Sequence, residues 1–329
     1  MTISVLGAGA WGTALAIRLA AHTPVVLWTR STEHAQSMAQ ERENQRYLPG
    51  HVLPSGLSVS ADLSRAMAAA DLLIVAVPSN GFRPLALALR QLGVATPIVW
   101  LCKGLETGSQ KLPHAVLAEA WPDHPPAAVL SGPSFAQEVA RGLPAALTVA
   151  SPDADFARRV ARELHDPKLR LYASTDVVGV ELGGAMKNVI AIAAGISDGL
   201  GFGLNARAAL VTRGLAELTR LGLKLGGRPE TFMGLSGMGD LILTCTGDLS
   251  RNRQLGLRLA AGESLEGALR ELGHVAEGAT TALEVVRLAR ELGVEMPISA
   301  AVAQILNQEM PPREAVAALL ARDLKDEGG

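Results

Sequence analysis

The sequence predicts an α/β domain over residues 1–173, built on a doubly wound, mostly parallel sheet, followed by an all-α domain over residues 174–329. Three observations predict this fold. In the first half, short apolar runs alternate with helical stretches, as in parallel strands joined by crossover helices. A glycine-rich turn directly follows the first apolar run. In the second half only helical periodicity recurs, over residues 176–198, 206–224, 253–261, 264–272, 280–292, 299–308 and 313–323.

Composition argues against several classes of protein. The 30 basic and 32 acidic residues nearly cancel, whereas a nucleic-acid-binding protein normally shows a basic excess or stripe. Aromatic residues make up only 3% of the chain, which leaves little surface for stacking bases. The two cysteines, Cys102 and Cys245, are too few for a disulfide framework and lack metal-site spacing. Because we find neither a basic leader nor an uncharged apolar run of about 18 residues, we expect a cytoplasmic protein without a membrane span.

The first predicted strand, residues 2–6, runs into the turn Gly7-Ala-Gly9-Ala-Trp-Gly12, from which a helix starts. A strand, a glycine turn and a helix in this register form the Rossmann dinucleotide-binding fingerprint. Gly7 permits the tight turn, Gly9 lets a pyrophosphate approach the backbone, and Gly12 lets helix and strand pack closely. We therefore expect NAD or NADP to bind at this turn.

The second strand, Val25–Trp28, is followed by Arg30. Many Rossmann domains carry an acidic residue near this point, which binds a ribose 2′-hydroxyl. A guanidinium there better suits the 2′-phosphate of NADP, by charge and by bidentate geometry. Arg30 thus favours NADP over NAD, the alternative being a solvated loop arginine.

After a charged segment that we expect to be helical over residues 33–46, α/β alternation resumes, with strands at 71–77, 97–101, 127–130 and 145–149 and a helix at 81–92. In open parallel sheets, ligands bind at the carboxyl ends of the strands. Lys103, Gly132 and Ser134 lie at such ends. Lys103 could meet an anionic or carbonyl oxygen, or be a solvated loop lysine. Ser134 could line a ligand site or cap the following helix.

Residues 181–198 form a nearly apolar helix that carries a single lysine, Lys187. Burial lowers the pKa of a lysine toward neutrality, where it can take and return protons. Gly183 and Gly184, one turn earlier, leave a face that another backbone or a flat ring could approach closely. The alternative is that Lys187 extends its ammonium from an apolar face to the surface.

Two polar segments interrupt the later helices. The glycine-hinged segment 235–246 brings Asp240 into apolar surroundings, where it could orient Lys187. Ser250, Arg251 and Asn252, at a helix start, suit a phosphate. The alternatives are that Asp240 is a turn or cap residue and that Arg251 is a solvated charge.

Six segments together resemble bacterial NAD(P)-dependent glycerol-3-phosphate dehydrogenases, in the right order and over nearly the whole chain. They are Gly7-Ala-Gly9-Ala-Trp-Gly12, Lys103-Gly-Leu-Glu, Ser131-Gly-Pro-Ser-Phe-Ala136, Leu182-Gly-Gly-Ala-Met-Lys187-Asn, Gly237-Met-Gly-Asp-Leu and Ser250-Arg-Asn-Arg253. The resemblance implies that the protein interconverts sn-glycerol 3-phosphate and dihydroxyacetone phosphate, and that its active site lies between the two domains. In bacteria this reaction usually runs as a reduction that feeds phospholipid synthesis.

The resemblance also implies roles for individual residues. Lys187 would accept the proton of the substrate hydroxyl, and would donate it in the reducing direction. The implied substrate-binding residues are Lys103, Gly132, Ser134, Lys187, Asp240, Ser250, Arg251 and Asn252. The implied cofactor-binding residues, beside Gly7, Gly9 and Gly12, are Trp11, Arg30, Lys103, Ala136, Arg251, Val275 and Glu277. At position 279 this chain has alanine, whereas the family often has an aromatic residue there.

We expect a homodimer, from the apolar helical half and from the resemblance.

Two other functions stay open at this point. β-Hydroxyacid dehydrogenases share the layout of a Rossmann domain, a helical domain and a helix lysine, but act on carboxylates; Asp240 and residues 250–253 better suit a phosphate dianion. A protein that senses NAD(P) without turnover would have no need of Lys103, Lys187 and Asp240 together.

Overall fold

The computed structural model describes residues 1–273 and 277–321. Its strands are β1 Ile3–Leu6, β2 Val25–Trp28, β3 Glu43–Asn44, β4 Leu48–Val52, β5 Leu57–Ser60, β6 Leu72–Val75, β7 Ile98–Trp100, β8 Ala127–Ser131, β9 Ala145–Ala150 and β10 Leu169–Ser174. In the first half the helices are α1 Ala10–Leu19, α2 Thr32–Glu41, α3 Leu63–Met67, α4 Ser79–Gln91, α5 Pro113–Ala120, α6 Ala136–Ala140 and α7 Ala154–Glu163.

In the second half the helices are α8 Val177–Gly199, α9 Gly203–Lys224, α10 Pro229–Phe232, α11 Asp240–Thr246, α12 Arg251–Ala260, α13 Leu265–Glu271, α14 Glu277–Glu291, α15 Pro297–Leu306 and α16 Pro312–Leu320. A π-helical turn, Leu235–Gly239, precedes α11. No strand follows β10 in the described part of the chain, in agreement with the predicted all-α second half.

The central sheet has eight strands in the order β10-β9-β8-β7-β6-β1-β2-β5. From β5 to β8 all neighbours are parallel, whereas β9 runs antiparallel to β8. The chain builds outward from β1 through β2 to β5, then returns to the other side of β1 with β6. This reversal of direction between β1 and β6 is the topological switch point, where doubly wound sheets bind ligands. The mostly parallel, doubly wound sheet predicted from the sequence is confirmed.

The prediction of one helix over residues 33–46 is wrong for the second half of that segment. Helix α2 ends at Glu41, because Arg42 adopts a left-handed conformation with φ 53°. The Arg42 guanidinium then donates to the carbonyl oxygens of Leu53 and Pro54 at 2.8 and 2.5 Å. The chain continues into a separate two-stranded hairpin, β3 and β4.

Helix α8 is the core of the second half. It is long and apolar enough to cross a membrane, but 94% of its most apolar window is buried inside the protein. Glycines bring α12 very close to it: a Cβ at Gly195 would collide with the carbonyl oxygen of Arg253, and one at Gly256 with that of Ile192. This backbone contact places the start of α12 beside the middle of α8.

Candidate active site

A buried ion pair between Lys187 and Asp240 lies at the centre of the site. The Lys187 side chain, in the middle of α8, is 9% exposed, and Asp240, the first residue of α11, is fully buried. Lys187 Nζ donates to Asp240 Oδ1 at 2.5 Å. The Lys187 ammonium therefore does not extend to the surface. Asp240 does begin a helix, but its carboxylate binds lysines rather than a backbone N–H of that helix.

Lys103 completes a cluster of two cations around one carboxylate. It follows β7, and its Nζ donates to Asp240 Oδ2 at 3.0 Å and to the carbonyl oxygen of Gly132 at 3.1 Å. The interpretation of Lys103 as a solvated loop lysine is wrong. Asp240 thus joins one lysine from each half of the chain, and both predicted cations reach the same point.

Burial lowers the pKa of Lys187 to about 8. The negative charge of Asp240 opposes this effect, and the positive charge of Lys103 adds to it. An amine with a pKa near the working pH can both donate and accept a proton at useful rates. The position therefore suits a general acid or base.

The two glycines before Lys187 determine how the cluster assembles. A Cβ at Gly183 would collide with the carbonyl oxygen of Ser236, in the π-helical turn that precedes Asp240. A Cβ at Gly184 would lie 2.7 Å from Ser131 Oγ, and Lys103 Cγ is 3.5 Å away. The absence of both side chains lets the π-helical turn and the end of β8 approach α8. The backbone of the π-helical turn therefore occupies the face left by Gly183. This was one of the two alternatives that the sequence suggested.

At the end of β8, Gly132 has φ +139°, a conformation that L side chains rarely adopt. Ser134 donates from Oγ to the carbonyl oxygen of Gly132 at 3.1 Å. Helix α6 begins later, at Ala136, with Phe135 at the cap position, so the alternative that Ser134 caps it is wrong. Ser131 Oγ is buried and has no hydrogen-bond partner among the described residues, which leaves it available to a ligand.

Residues 250–253 have different environments. Ser250 caps α12 by accepting a hydrogen bond from the backbone N–H of Arg253. The Arg253 guanidinium is buried against Asp198 and Asp248 at 2.8 and 2.9 Å, and is therefore structural. Arg251 is exposed and makes no ion pair within the described part of the chain. Of this group, Arg251 is the cation left for an anionic ligand.

A chain of amide hydrogen bonds connects these residues to Lys103. Asn252 Nδ2 donates to Asn188 Oδ1 at 2.9 Å, and Asn188 Nδ2 donates to the carbonyl oxygen of Lys103 at 3.3 Å. Asn252 Oδ1 accepts from the backbone N–H of Gly278 at 3.1 Å. Asn188 was not predicted as a site residue. The available signal was a polar residue directly after Lys187, in the apolar middle of the helix.

Glu277, the first residue of α14, is partly buried and faces the same cations. Burial raises its pKa, while the charges of Arg251, Lys103 and Lys187 oppose that effect. Its neighbour Val275 lies outside the described residues. Ala136 begins α6 and is half-buried.

The glycine turn has the space that a dinucleotide diphosphate needs. Gly7 has φ +130°, and a Cβ there would collide with the carbonyl oxygen of Ala76 at the end of β6. A Cβ at Gly12 would collide with the carbonyl oxygen of Gly7, whereas no atom lies within 4 Å of the Cβ position of Gly9. The open space therefore lies at Gly9, in front of the N-terminus of α1, where backbone N–H groups are free to bind an anion.

Two further side chains carry hydrogen-bond donors, one in the glycine turn and one after β2. Trp11 Nε1 is buried and, among the described residues, lacks a hydrogen-bond partner. Arg30 follows β2, is exposed and has no ion-pair partner in the described ranges. Both donors suit a phosphate-bearing ligand, and Arg30 suits a 2′-phosphate. No cluster of three or more His, Cys, Asp or Glu residues among those described could hold a metal ion.

The chain matches known proteins over nearly its whole length. The family model for the N-terminus of NAD-dependent glycerol-3-phosphate dehydrogenase matches residues 2–157, and the model for its C-terminus matches residues 176–317. A glycerol-3-phosphate dehydrogenase [NAD(P)+] of Nitrosospira multiformis is 58% identical over 99% of both chains. One of Thiobacillus denitrificans is 59% identical over 99% of this chain and 100% of that protein. The crystal structure of glycerol-3-phosphate dehydrogenase from Coxiella burnetii superposes with a TM-score of 0.94 at 42% identity, covering 98% of this chain and 99% of that one. The chain belongs to the NAD-dependent glycerol-3-phosphate dehydrogenase family.

Proposed function

We propose that this protein reduces dihydroxyacetone phosphate to sn-glycerol 3-phosphate with NADPH or NADH, and that the product feeds glycerophospholipid synthesis. The observation that carries the proposal is the buried cluster in which Asp240 binds both Lys187 and Lys103. It provides a proton donor and a second cation at one point, and the hydrogen bonds of Asn188 connect Lys103 to Asn252 at the start of α12.

Lys187 acts as the general acid in this proposal. A bound nicotinamide supplies the hydride. As the substrate carbonyl oxygen gains negative charge, the Lys187 ammonium donates a proton to it, and Asp240 keeps that ammonium oriented. Lys103 stabilises the same developing charge from the side of Gly132. In the reverse direction, neutral Lys187 accepts the hydroxyl proton.

The substrate phosphate binds at the start of α12 in this proposal. Arg251 is the exposed cation there, and Ser250 and Asn252 lie next to it in the chain. Because the side-chain amide of Asn252 already bonds Asn188 and Gly278, we assign Asn252 mainly to holding the loop, with its contact to the phosphate secondary. Gly132, Ser134 and Ser131 line the opposite side of the substrate.

For the cofactor, we propose NADP as the preferred form, because Arg30 is exposed at the end of β2 without a partner among the described residues. The diphosphate binds at Gly9 and the N-terminus of α1, with Trp11 beside it. Ala136, Val275 and Glu277 are proposed for the nicotinamide side, Val275 on the family resemblance alone.

At the level of the molecule we propose a dinucleotide-binding domain over residues 1–173 and a substrate domain over 174–329; β10 ends at Ser174 and α8 begins at Val177. We also propose a cytoplasmic homodimer. The support for a dimer is a groove of about 720 Å³ between helices of the second half, lined mainly by apolar residues. Phe202 and Leu320, which line it, are 44% and 77% exposed.

The function is tested by following oxidation of NADPH, and separately of NADH, by the purified protein with dihydroxyacetone phosphate. The same assay with β-keto acids tests the carboxylate alternative. Turnover with dihydroxyacetone phosphate and none with the acids is expected. Turnover of the acids alone would replace the proposed substrate, and NADPH binding without any turnover would favour a sensor.

A further inference from the structure

Asn44 is a fully buried polar residue that the proposed reaction does not use. It lies in β3, in the hairpin outside the main sheet. Its Nδ2 donates to the carbonyl oxygen of Ala8 at 2.9 Å and to Thr13 Oγ1 at 2.7 Å. Ala8 lies between Gly7 and Gly9, and Thr13 lies in the first turn of α1. One amide group therefore holds both sides of the glycine turn.

The oxygen of the same amide contacts Tyr47 and, in α2, His34. Asn44 Oδ1 accepts from the backbone N–H of Tyr47 at 3.2 Å and lies 3.0 Å from His34 Nε2. Since the carbonyl of Ala8 can only accept, Nδ2 must face Ala8, and Oδ1 must then accept from His34 Nε2–H. His34 Nδ1 lies 3.4 Å from the hydroxyl of Thr29, the residue before Arg30.

A continuous chain of hydrogen bonds therefore runs from Thr29 through His34 and Asn44 to the glycine turn. Its two ends are the two places where the dinucleotide is expected to bind, the 2′-phosphate at Arg30 and the diphosphate at Gly9. These places lie on different loops, after β2 and after β1. The hydrogen-bond chain restrains the distance and orientation of one relative to the other.

We propose that Asn44 is a positioning residue for the dinucleotide. It favours binding of the dinucleotide by holding the glycine turn in a fixed position relative to the end of β2. This inference rests on the proposed use of NAD(P)H. Loss of the restraint leaves Ala8 and Thr13 without their buried partner, so the cost appears in cofactor affinity more than in the chemical step.

The primary test is Asn44→Asp, which keeps the side-chain volume but replaces the donating NH₂ with an acceptor facing the Ala8 carbonyl. We expect the dissociation constant of NADPH, from titration of its fluorescence, to rise about tenfold or more. The KM for dihydroxyacetone phosphate and kcat at saturating NADPH should change little. Asn307→Asp, the same substitution at an exposed position, is the matched control and should bind NADPH like the wild type.

The melting temperature of Asn44→Asp shows whether this variant folds. If it does not, two variants of His34 test the proposal instead. His34→Gln retains an N–H donor toward Asn44 Oδ1, whereas His34→Ala removes it. The glutamine variant should therefore keep NADPH affinity better than the alanine variant.

The proposal is overturned if Asn44→Asp folds and binds NADPH as tightly as the wild type, or if the affinities for NADPH and for dihydroxyacetone phosphate fall alike. Equal NADPH affinities of His34→Gln and His34→Ala would also overturn it. If the wild type binds NADPH but does not reduce dihydroxyacetone phosphate, the proposed function fails, and the fluorescence titration still decides the role of Asn44.

Discussion

At the scale of single residues, the carboxylate of Asp240 compensates the positive charges of both Lys187 and Lys103. Two buried ammonium groups at one point would repel each other without it. Its full burial removes water that would otherwise screen these charges. The protonation of Lys187 therefore depends directly on Asp240.

Asp240→Asn should shift the pH dependence of dihydroxyacetone phosphate reduction. In the wild type, reduction requires the ammonium form of Lys187, so kcat should fall as the pH rises through about 8. Without the carboxylate, burial and Lys103 both lower the pKa of Lys187 further, so this alkaline limb should move lower by about one pH unit or more. Asp123→Asn, at an 83% exposed side chain, is the control. An unchanged limb in Asp240→Asn would contradict the assignment.

Arg30→Ala should change cofactor preference. Loss of the guanidinium should raise the KM for NADPH by about ten- to a hundredfold, as expected for a hydrogen bond to a charged group, and leave the KM for NADH nearly constant. The measurement is the KM for each cofactor, with the exposed Arg65→Ala as control. Equal increases in the KM for NADPH and for NADH would show that Arg30 does not bind the 2′-phosphate.

The residues that the sequence predicted best are those whose chemistry conflicts with their surroundings. Lys187 is the single lysine in an apolar helix, and Asp240 lies in a glycine-hinged apolar segment. Asn44 was missed because its role depends on Thr13 and Ala8, which lie 31 and 36 residues away, and Asn188 because it bonds Lys103, 85 residues away. Ser131 was missed because its role depends on the absence of any partner among the described residues. Periodicity and composition contain no information on such partners.

At the scale of elements, the crossing of α8 and α12 places the start of α12 beside Asn188, the residue after Lys187. Gly195→Ala should lower the free energy of unfolding by about 1–3 kcal/mol or more, because its Cβ would collide with a backbone carbonyl that side-chain rotation cannot move. The measurement is chemical denaturation.

Gly81→Ala is the matched control, another glycine within a helix. The nearest atom to its Cβ position, Val77 Cβ, is 3.5 Å away, an ordinary contact. This variant should be neutral or more stable by about 0.5–1 kcal/mol, because alanine loses less conformational freedom on folding. Equal effects of the two substitutions would show that the crossing is not closely packed.

Elements were predictable where their burial was uniform. Strands β6, β7 and β8 are buried throughout and consist almost entirely of apolar residues, and the helices of the second half show clear periodicity. Strand β10 was missed because it lies at a sheet edge, where only Leu169 of its residues is buried and Arg170, Tyr172 and Ala173 are exposed. The hairpin β3–β4 was missed because the left-handed residue that ends α2 is an arginine, not the usual glycine.

At the scale of the whole molecule, the site forms where the two halves of the chain meet. Lys103 and Gly132 come from the ends of sheet strands, and Lys187 and Asp240 from helices of the second half. Neither half contains the cluster alone.

The proposed dimer predicts that Leu320→Glu weakens self-association. Leu320 is 77% exposed and lines the apolar groove, so a buried charge there would be costly on association. Light scattering should give a dimer mass for the wild type and a lower mass for the variant. Val52→Glu, at a 73% exposed position on β4, is the control. A monomeric wild type would contradict the proposal.

The most direct test of the central claim is the kcat of dihydroxyacetone phosphate reduction by Lys187→Ala, with NADPH binding measured in parallel to show an intact fold. Lys224→Ala, at an exposed lysine on α9, is the control and should match the wild type. We predict that Lys187→Ala binds NADPH normally and loses at least about a hundredfold in kcat, as expected for removal of a general acid. A kcat within a few-fold of the wild type would show that another group supplies the proton.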